Sequence, residues 1–247
     1  MIRIPILRPG SREAFPRIDQ ALHEPNGLLA AGGDLSPTRL LEAYRHGIFP
    51  WFSPGEPILW WSPDPRMVFA TDAVHQSRRL NRWLRQCPWT IDADREFRAV
   101  MISCAAPRPG QTGTWITASM LDAYCLLHEM GHAHSIEVYE ADRLIGGLYG
   151  VAVGQMFFAE SMFSHATNAS KVALMALAAT LRRWGWPLID AQVSSDHLRT
   201  LGAIELPRQA FAAHVARLTA RAGATGSWTG CLALERAAEL AGQPAAR

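Results

Sequence analysis

Two carboxylates set in apolar runs carry the strongest chemical signal in this 247-residue chain. Glu160 stands within Met156-Phe157-Phe158-Ala159-Glu160-Ser161-Met162-Phe163, and Asp190 within Pro187-Leu188-Ile189-Asp190-Ala191-Gln192-Val193. A carboxylate removed from water without a partner is costly, so each must meet a cation or serve chemistry. On a strand, Asp190 and Gln192 point to one face, where the carboxylate could orient the amide. A structural ion pair, to Arg66 or Lys171, accounts for such carboxylates equally well.

Two motifs are weaker than they look. His128-Glu129-Met130-Gly131-His132 spells HExxH, which on an unbroken helix sets two imidazoles on one face for zinc, with glutamate as base. Gly131 and the strand-like alternation from His132 to Val138 break that helix between the histidines. A histidine near a helix C-terminus is the better reading, and no metal is expected. Gly146-Gly147-Leu148-Tyr149-Gly150 lacks both the Lys-Ser/Thr of a phosphate loop and the GxGxxG spacing into a helix. Glycines in a strand mark a bulge or close backbone approach instead, so no nucleotide cofactor is expected.

The third signal is charge. Of 24 basic residues 23 are arginine and one, Lys171, is lysine; with 22 acidic residues the net charge is +2. Compositional bias explains most of this skew, so local clustering must decide whether any arginine grips phosphate. Ser77 to Gln86 reads as a helix with Leu80, Trp83 and Leu84 inward. Arg78, Arg82 and Arg85 share a stripe, Arg79 lies beside it, and no carboxylate occurs between Ala73 and Ile91. A solvated basic face and a phosphate-binding face both fit this pattern.

The elements that must position these residues are legible in part. Arg3 to Leu7 is a short apolar run, and Ser36 to Gly47 has the N-cap, first-turn proline and terminal glycine of a short helix. The proline-rich stretch from Leu59 to Arg66 cannot be continuous helix and places a boundary near Pro65, dividing residues 1–65 from 66–247. Beyond it come a strand at Met67 to Ala70, a helix from Thr117 to near Gly131, and a hairpin of Ser135 to Ala141 with Leu144 to Val153. There follow a strand from Gln155 to Met162, an apolar helix from Ala169 to Gly185, a strand at Leu188 to Val193, a helical turn from Asp196 to Leu201 and a helix from Pro207 to Ala222. The fold class is α/β (α+β) with one central sheet. After Gly223 the Gly- and Ala-rich chain predicts no order. No apolar run approaches the roughly 20 residues of a membrane span, and four dispersed cysteines suggest neither disulfides nor zinc, so a cytoplasmic protein is expected.

Taken together, the segments resemble the leucyl/phenylalanyl-tRNA–protein transferase family. The resemblance rests on collinear blocks from about Glu24 to Pro207. They are Glu24-Pro25-Asn26-Gly27-Leu28-Leu29-Ala30, Gly32-Gly33-Asp34-Leu35-Ser36-Pro37, Gly47-Ile48-Phe49-Pro50-Trp51-Phe52, Leu59-Trp60-Trp61-Ser62-Pro63-Asp64-Pro65-Arg66, Gly113-Thr114-Trp115-Ile116-Thr117, His132-Ala133-His134-Ser135-Ile136-Glu137, Glu160-Ser161-Met162-Phe163-Ser164 and Leu188-Ile189-Asp190-Ala191-Gln192.

The resemblance implies a small N-terminal domain joined to an acetyltransferase-like (GNAT-like) mixed-sheet domain. It implies transfer of Leu or Phe, and less readily Met, from aminoacyl-tRNA to the N-terminal Arg or Lys of acceptor proteins, marking them for N-end-rule degradation. No cofactor is implied, and no coenzyme A loop precedes the Ala169 helix. Trp51 and Trp115 would flank the terminal adenosine of the tRNA; Leu148, Phe157, Leu174 and Ile189 would line the aminoacyl pocket. Asp190 and Gln192 would form the catalytic centre, with Asp190 orienting Gln192 and helping to take a proton from the amine. Glu160 would attract the cationic acceptor end or hold the geometry. Arg78, Arg79, Arg82 and Arg85 would hold the acceptor stem, and the enzyme would be a monomer. A coenzyme A-dependent N-acetyltransferase, a zinc peptidase and a non-catalytic tRNA-binding protein are the competing readings.

Overall fold

The computed structural model describes residues 4–107 and 114–242; Arg3 and Gly113, named above, lie outside the described residues. Strand β1 (Ile6–Leu7) lies parallel to β2 (Leu28–Gly32), after which Ser36 starts helix α1 (Pro37–Arg45). The Ser36 hydroxyl accepts from the Arg39 N–H and Pro37 occupies the first turn, so the start is written locally. Strands β3 (Phe49–Pro50) and β4 (Leu59–Trp61) complete a four-stranded sheet in the order β1-β2-β4-β3.

The remaining elements build a larger sheet. They are β5 (Arg66–Ala70), α2 (Arg78–Leu84), β6 (Thr90–Ala93), α3 (Phe97–Ala105), α4 (Ala118–Glu129), β7 (Ala133–Glu140), β8 (Arg143–Val153), β9 (Met156–Ser164), α5 (Ala169–Arg183), β10 (Leu188–Gln192), α6 (Asp196–Thr200), β11 (Ile204–Leu206) and α7 (Arg208–Thr219). Seven strands run in the order β11-β5-β10-β9-β8-β7-β6. Antiparallel β7, β8 and β9 lead through the α5 crossover to β10, which returns parallel to β9. The sheet is therefore mixed, with helices packed on both of its faces. The long elements expected from sequence are present within a few residues of their expected ends; β2, β3, β4, β6, α3 and β11 have no counterpart among those expectations.

Alternation along the sheet separates two cores. Met156 and Phe158 face one, with α3, α4, α7 and the N-terminal sheet; Phe157 and Ile189 face the other, under α5. The first core includes Leu29, Leu40, Tyr44 and Trp60 from before Pro65. A division at Pro65 therefore separates the two sheets but does not separate two cores.

The glycine motifs have packing roles. Gly146 lies against α5, where a Cβ would stand 2.4 Å from that of Ala169, so close backbone approach accounts for it. Gly131, at φ 74°, ends α4 and lies under Gly226. The helix stops at Glu129, before His132, and His128 donates through Nδ1 to the carbonyl of Ala133 in β7 rather than capping its own helix. Residues 224–242, for which composition predicts no order, are packed: Trp228 is 1% exposed, its indole stacks on His134, and its backbone N–H donates to Asp94 Oδ2. The cue in the sequence is one tryptophan, too little to outweigh the Gly-rich composition around it. No helix among the described residues is long and apolar enough to cross a membrane.

Candidate active site

Strands β9 and β10 pair only at Phe157–Ile189 and Phe158–Asp190. Past that point the side chains of Glu160 and Gln192 bridge the strands: Gln192 Nε2 donates to Glu160 Oε1 at 2.7 Å. Glu160 follows Met156 and Phe158 on one face of β9, which carries it into the first core. There it meets Tyr44 of α1, which donates to Oε1 at 2.8 Å, and Tyr124 of α4, which donates to Oε2 at 3.2 Å. The two phenol oxygens are also in hydrogen-bond contact with each other.

Burial pushes the Glu160 carboxyl up to about 7, with the nearby charge of Asp190 adding to the effect and the hydrogen bonds opposing it. Among the described residues Glu160 forms no ion pair. Burial and the neighbouring carboxyl likewise hold Tyr44 and Tyr124 well above the usual phenol range, so both keep their protons.

Asp190 is treated differently by the fold. Arg66 of β5 meets it with two parallel hydrogen bonds, Nε to Oδ1 at 2.8 Å and Nη2 to Oδ2 at 2.6 Å, and both side chains are fully buried. The guanidinium lies 4.7 Å from the Phe49 ring centroid and 4.6 Å from that of Phe211, and donates to the Gly47 carbonyl. Of the two partners weighed from sequence, Arg66 is therefore the one in place, while Lys171 lies elsewhere, half-buried at the start of α5.

Asp190 also differs from its expected geometry. It does not orient the Gln192 side chain from the same strand face, because a bulge intervenes and Gln192 sits at φ 62°. Asp190 Oδ1 instead accepts the backbone N–H of Gln192 at 2.9 Å, and Glu160 holds the amide. A non-glycine residue in the left-handed region is costly and persists where surrounding contacts fix it, commonly at functional sites.

A cleft of about 470 Å³ opens beside this bridge. Trp51, Trp115, Leu148, Leu174, Glu160 and Gln192 all line it, so six of the site residues named from sequence converge. Asp190, Phe157 and Ile189 do not; they are fully buried behind its wall. Trp51, 44% exposed, follows β3 and is steadied by Trp61, whose Nε1 donates to its carbonyl. Trp115 precedes Thr117, the N-cap of α4.

Arg78, Arg79, Arg82 and Arg85 are exposed on or just after α2, which Ser77 caps. They are outside the cleft wall, but the segment entering α2 is pinned to the end of α6 by His75 N–H to Leu201 O, and α6 supplies His197 and Leu198 to the cleft. Tyr44 and Tyr124 escaped the sequence reading as site residues. Their only signal was a polar tip on an inward helix face. Among the described residues no three His, Cys, Asp or Glu side chains gather as a metal site.

Known proteins share much of this sequence. A family model described as leucyl/phenylalanyl-tRNA protein transferase matches residues 68–216, and its N-terminal domain model matches 33–64. A leucyl/phenylalanyl-tRNA–protein transferase of Xanthomonas campestris pv. campestris is 58% identical over 96% of both chains. Proteins of the same name from Xanthomonas oryzae pv. oryzae and Xylella fastidiosa are 61% identical (92% of both chains) and 55% identical (91% of this chain, 93% of the other).

Among solved structures, the C-terminal domain of a putative lysylphosphatidylglycerol synthetase from Agrobacterium fabrum has a TM-score of 0.38 at 11% identity. That match covers 69% of this chain and 56% of the other, and is too distant to bear on the site. With both family models matched in order and such identity over nearly the whole length, the chain belongs to the leucyl/phenylalanyl-tRNA–protein transferase family.

Proposed function

We propose that this chain is an aminoacyltransferase that moves Leu or Phe, and less readily Met, from aminoacyl-tRNA to the N-terminal Arg or Lys of acceptor proteins. The observation that carries this reading is the cleft between Trp51 and Trp115 with the Glu160–Gln192 bridge in its wall, in a chain of this family. Attack of an α-amine on an activated ester needs orientation more than a cofactor.

Gln192 is the orienting group. Its amide nitrogen is engaged by Glu160, which leaves Oε1 as the end available to accept a hydrogen bond from the acceptor amine. Asp190, locked by Arg66, keeps the Gln192 backbone in place from behind. It acts through Gln192 rather than by touching the amine. Trp51 and Trp115 offer aromatic faces to the unpaired 3′ adenosine. Leu148 and Leu174 form the wall for the aminoacyl side chain, with Phe157 and Ile189 supporting it. An apolar wall separates chains differing by one methylene by only about 1–3 kcal/mol, which suits an enzyme that accepts several donors. The arginines of α2 meet acceptor-stem phosphates.

Incubation with labelled leucyl-tRNA and a peptide beginning with Arg tests the reading. Labelled peptide is expected without coenzyme A or added metal; a requirement for coenzyme A, or no product, rejects it.

A further inference from the structure

Two phenolic protons have to serve three contacts around Glu160. Tyr44 and Tyr124 each touch the carboxyl group, and their oxygens touch each other. With an ionised carboxylate both phenols donate to it, and their oxygens then face each other with no proton between them. One additional proton closes the ring: Oε2 donates to Tyr124, Tyr124 to Tyr44, and Tyr44 to Oε1, which also accepts from Gln192.

The surroundings favour that proton. Tyr44 from α1, Tyr124 from α4, Tyr149 from β8 and Asp190 from β10 interact electrostatically with Glu160, and Cys104 of α3 and His197 of α6 line the same cleft. The buried guanidinium of Arg66 from β5 is held by Asp190. An anion at Glu160 would be a second buried negative charge with no cation of its own.

We propose that Glu160 works as a neutral carboxylic acid closing a ring with Tyr44 and Tyr124, and that these tyrosines are positioning residues which fix the Gln192 amide through it. The proposal deepens the transferase reading and rests on it for the role of Gln192. It assigns to α1 of the N-terminal module a direct hold on the site. It also leaves recognition of the acceptor's cationic side chain to groups other than Glu160.

Infrared difference spectra of wild type against Glu160→Gln, from about pH 5 to about pH 9, test the protonation state. A carboxylic acid carbonyl band is expected at the acid end, disappearing with a midpoint near 7. Tyr44→Phe should move that midpoint upward, because the anion loses a donor. A band missing throughout the range overturns the proposal.

Single-turnover transfer provides the second readout. Gln at position 160 can reproduce the ring, donating to Tyr124 and accepting from Tyr44 and Gln192, whereas Ala cannot. Glu160→Gln should slow transfer by about tenfold or less and Glu160→Ala by about a hundredfold or more. Equal losses would mean that charge matters rather than the ring, and would overturn it too. Should wild type transfer no aminoacyl group at all, the functional reading falls while the infrared band still decides the state of Glu160.

Discussion

Asp190 and Glu160 lie on neighbouring strands, yet the fold treats their charge in opposite ways. Asp190 is an ion held by a bidentate guanidinium, and Glu160 is a carboxyl group among phenols. Removing the cation therefore has a clear cost. Arg66→Met leaves Asp190 buried and unpaired and should destabilise the chain by about 3–5 kcal/mol in urea unfolding. Adding Asp190→Leu should recover most of that stability, since an apolar pair of similar volume is often as stable. Transfer should stay impaired, because the Gln192 N–H is left without its acceptor. If the double variant regained both, Asp190 would be structural only. Both carboxylates were legible in sequence as charges inside apolar runs. The tyrosines were not, because Tyr44 stands 116 positions from Glu160 and 80 from Tyr124, and only tertiary packing brings them together.

At the level of elements, legibility follows how local the determinants are. α1 carries its cap, first-turn proline and closing glycine within a dozen residues, and the sequence reading of it matches the structure. α3 has no side-chain cap of its own; Glu137, 41 positions away in β7, accepts from the Glu96 N–H at its start. Strands of two to five residues such as β2, β3, β4 and β11 are too short to display alternation and take their identity from neighbours. The Gln192 bulge likewise belongs to the pairing of β10 with β5 and has no mark in the chain. α2 presents exposed arginines at its surface, for which solvation and phosphate binding make different forecasts. Arg78→Glu with Arg82→Glu should weaken aminoacyl-tRNA binding and reduce the slope of log affinity against log salt by about 0.7–0.9 for each phosphate that is no longer neutralised. Filter binding at several salt concentrations measures this, and an unchanged slope would leave α2 a solvated face.

Over the whole molecule, the buried carboxyls set opposing pH dependences. Glu160, raised to about 7, takes up a proton on folding, so its contribution is complete below the ordinary carboxylate range and is lost as pH rises through 7. Asp94, whose carboxylate is held low by His134, Trp228 and Ser135 against the upward push of burial, contributes at neutral pH and is lost only on acidification. From pH 6 to pH 8 the first dominates. The urea midpoint should therefore fall in wild type relative to Glu160→Gln over that window; parallel curves would place the Glu160 titration outside it.

Asp94 also joins distant parts of the chain: it holds Trp228, while Glu235 accepts from the Ile91 N–H and Arg236 bridges to Thr90, covering the outer edge of β6. A ribosome makes residues 224–242 after every strand of the sheet. Until they clear the exit tunnel, β6 keeps an open edge and the core beneath α5 lacks an indole. The nascent chain is thus exposed to mispairing at β6 until its last residues emerge, and a translational pause shortly before Trp228 would prolong that exposure.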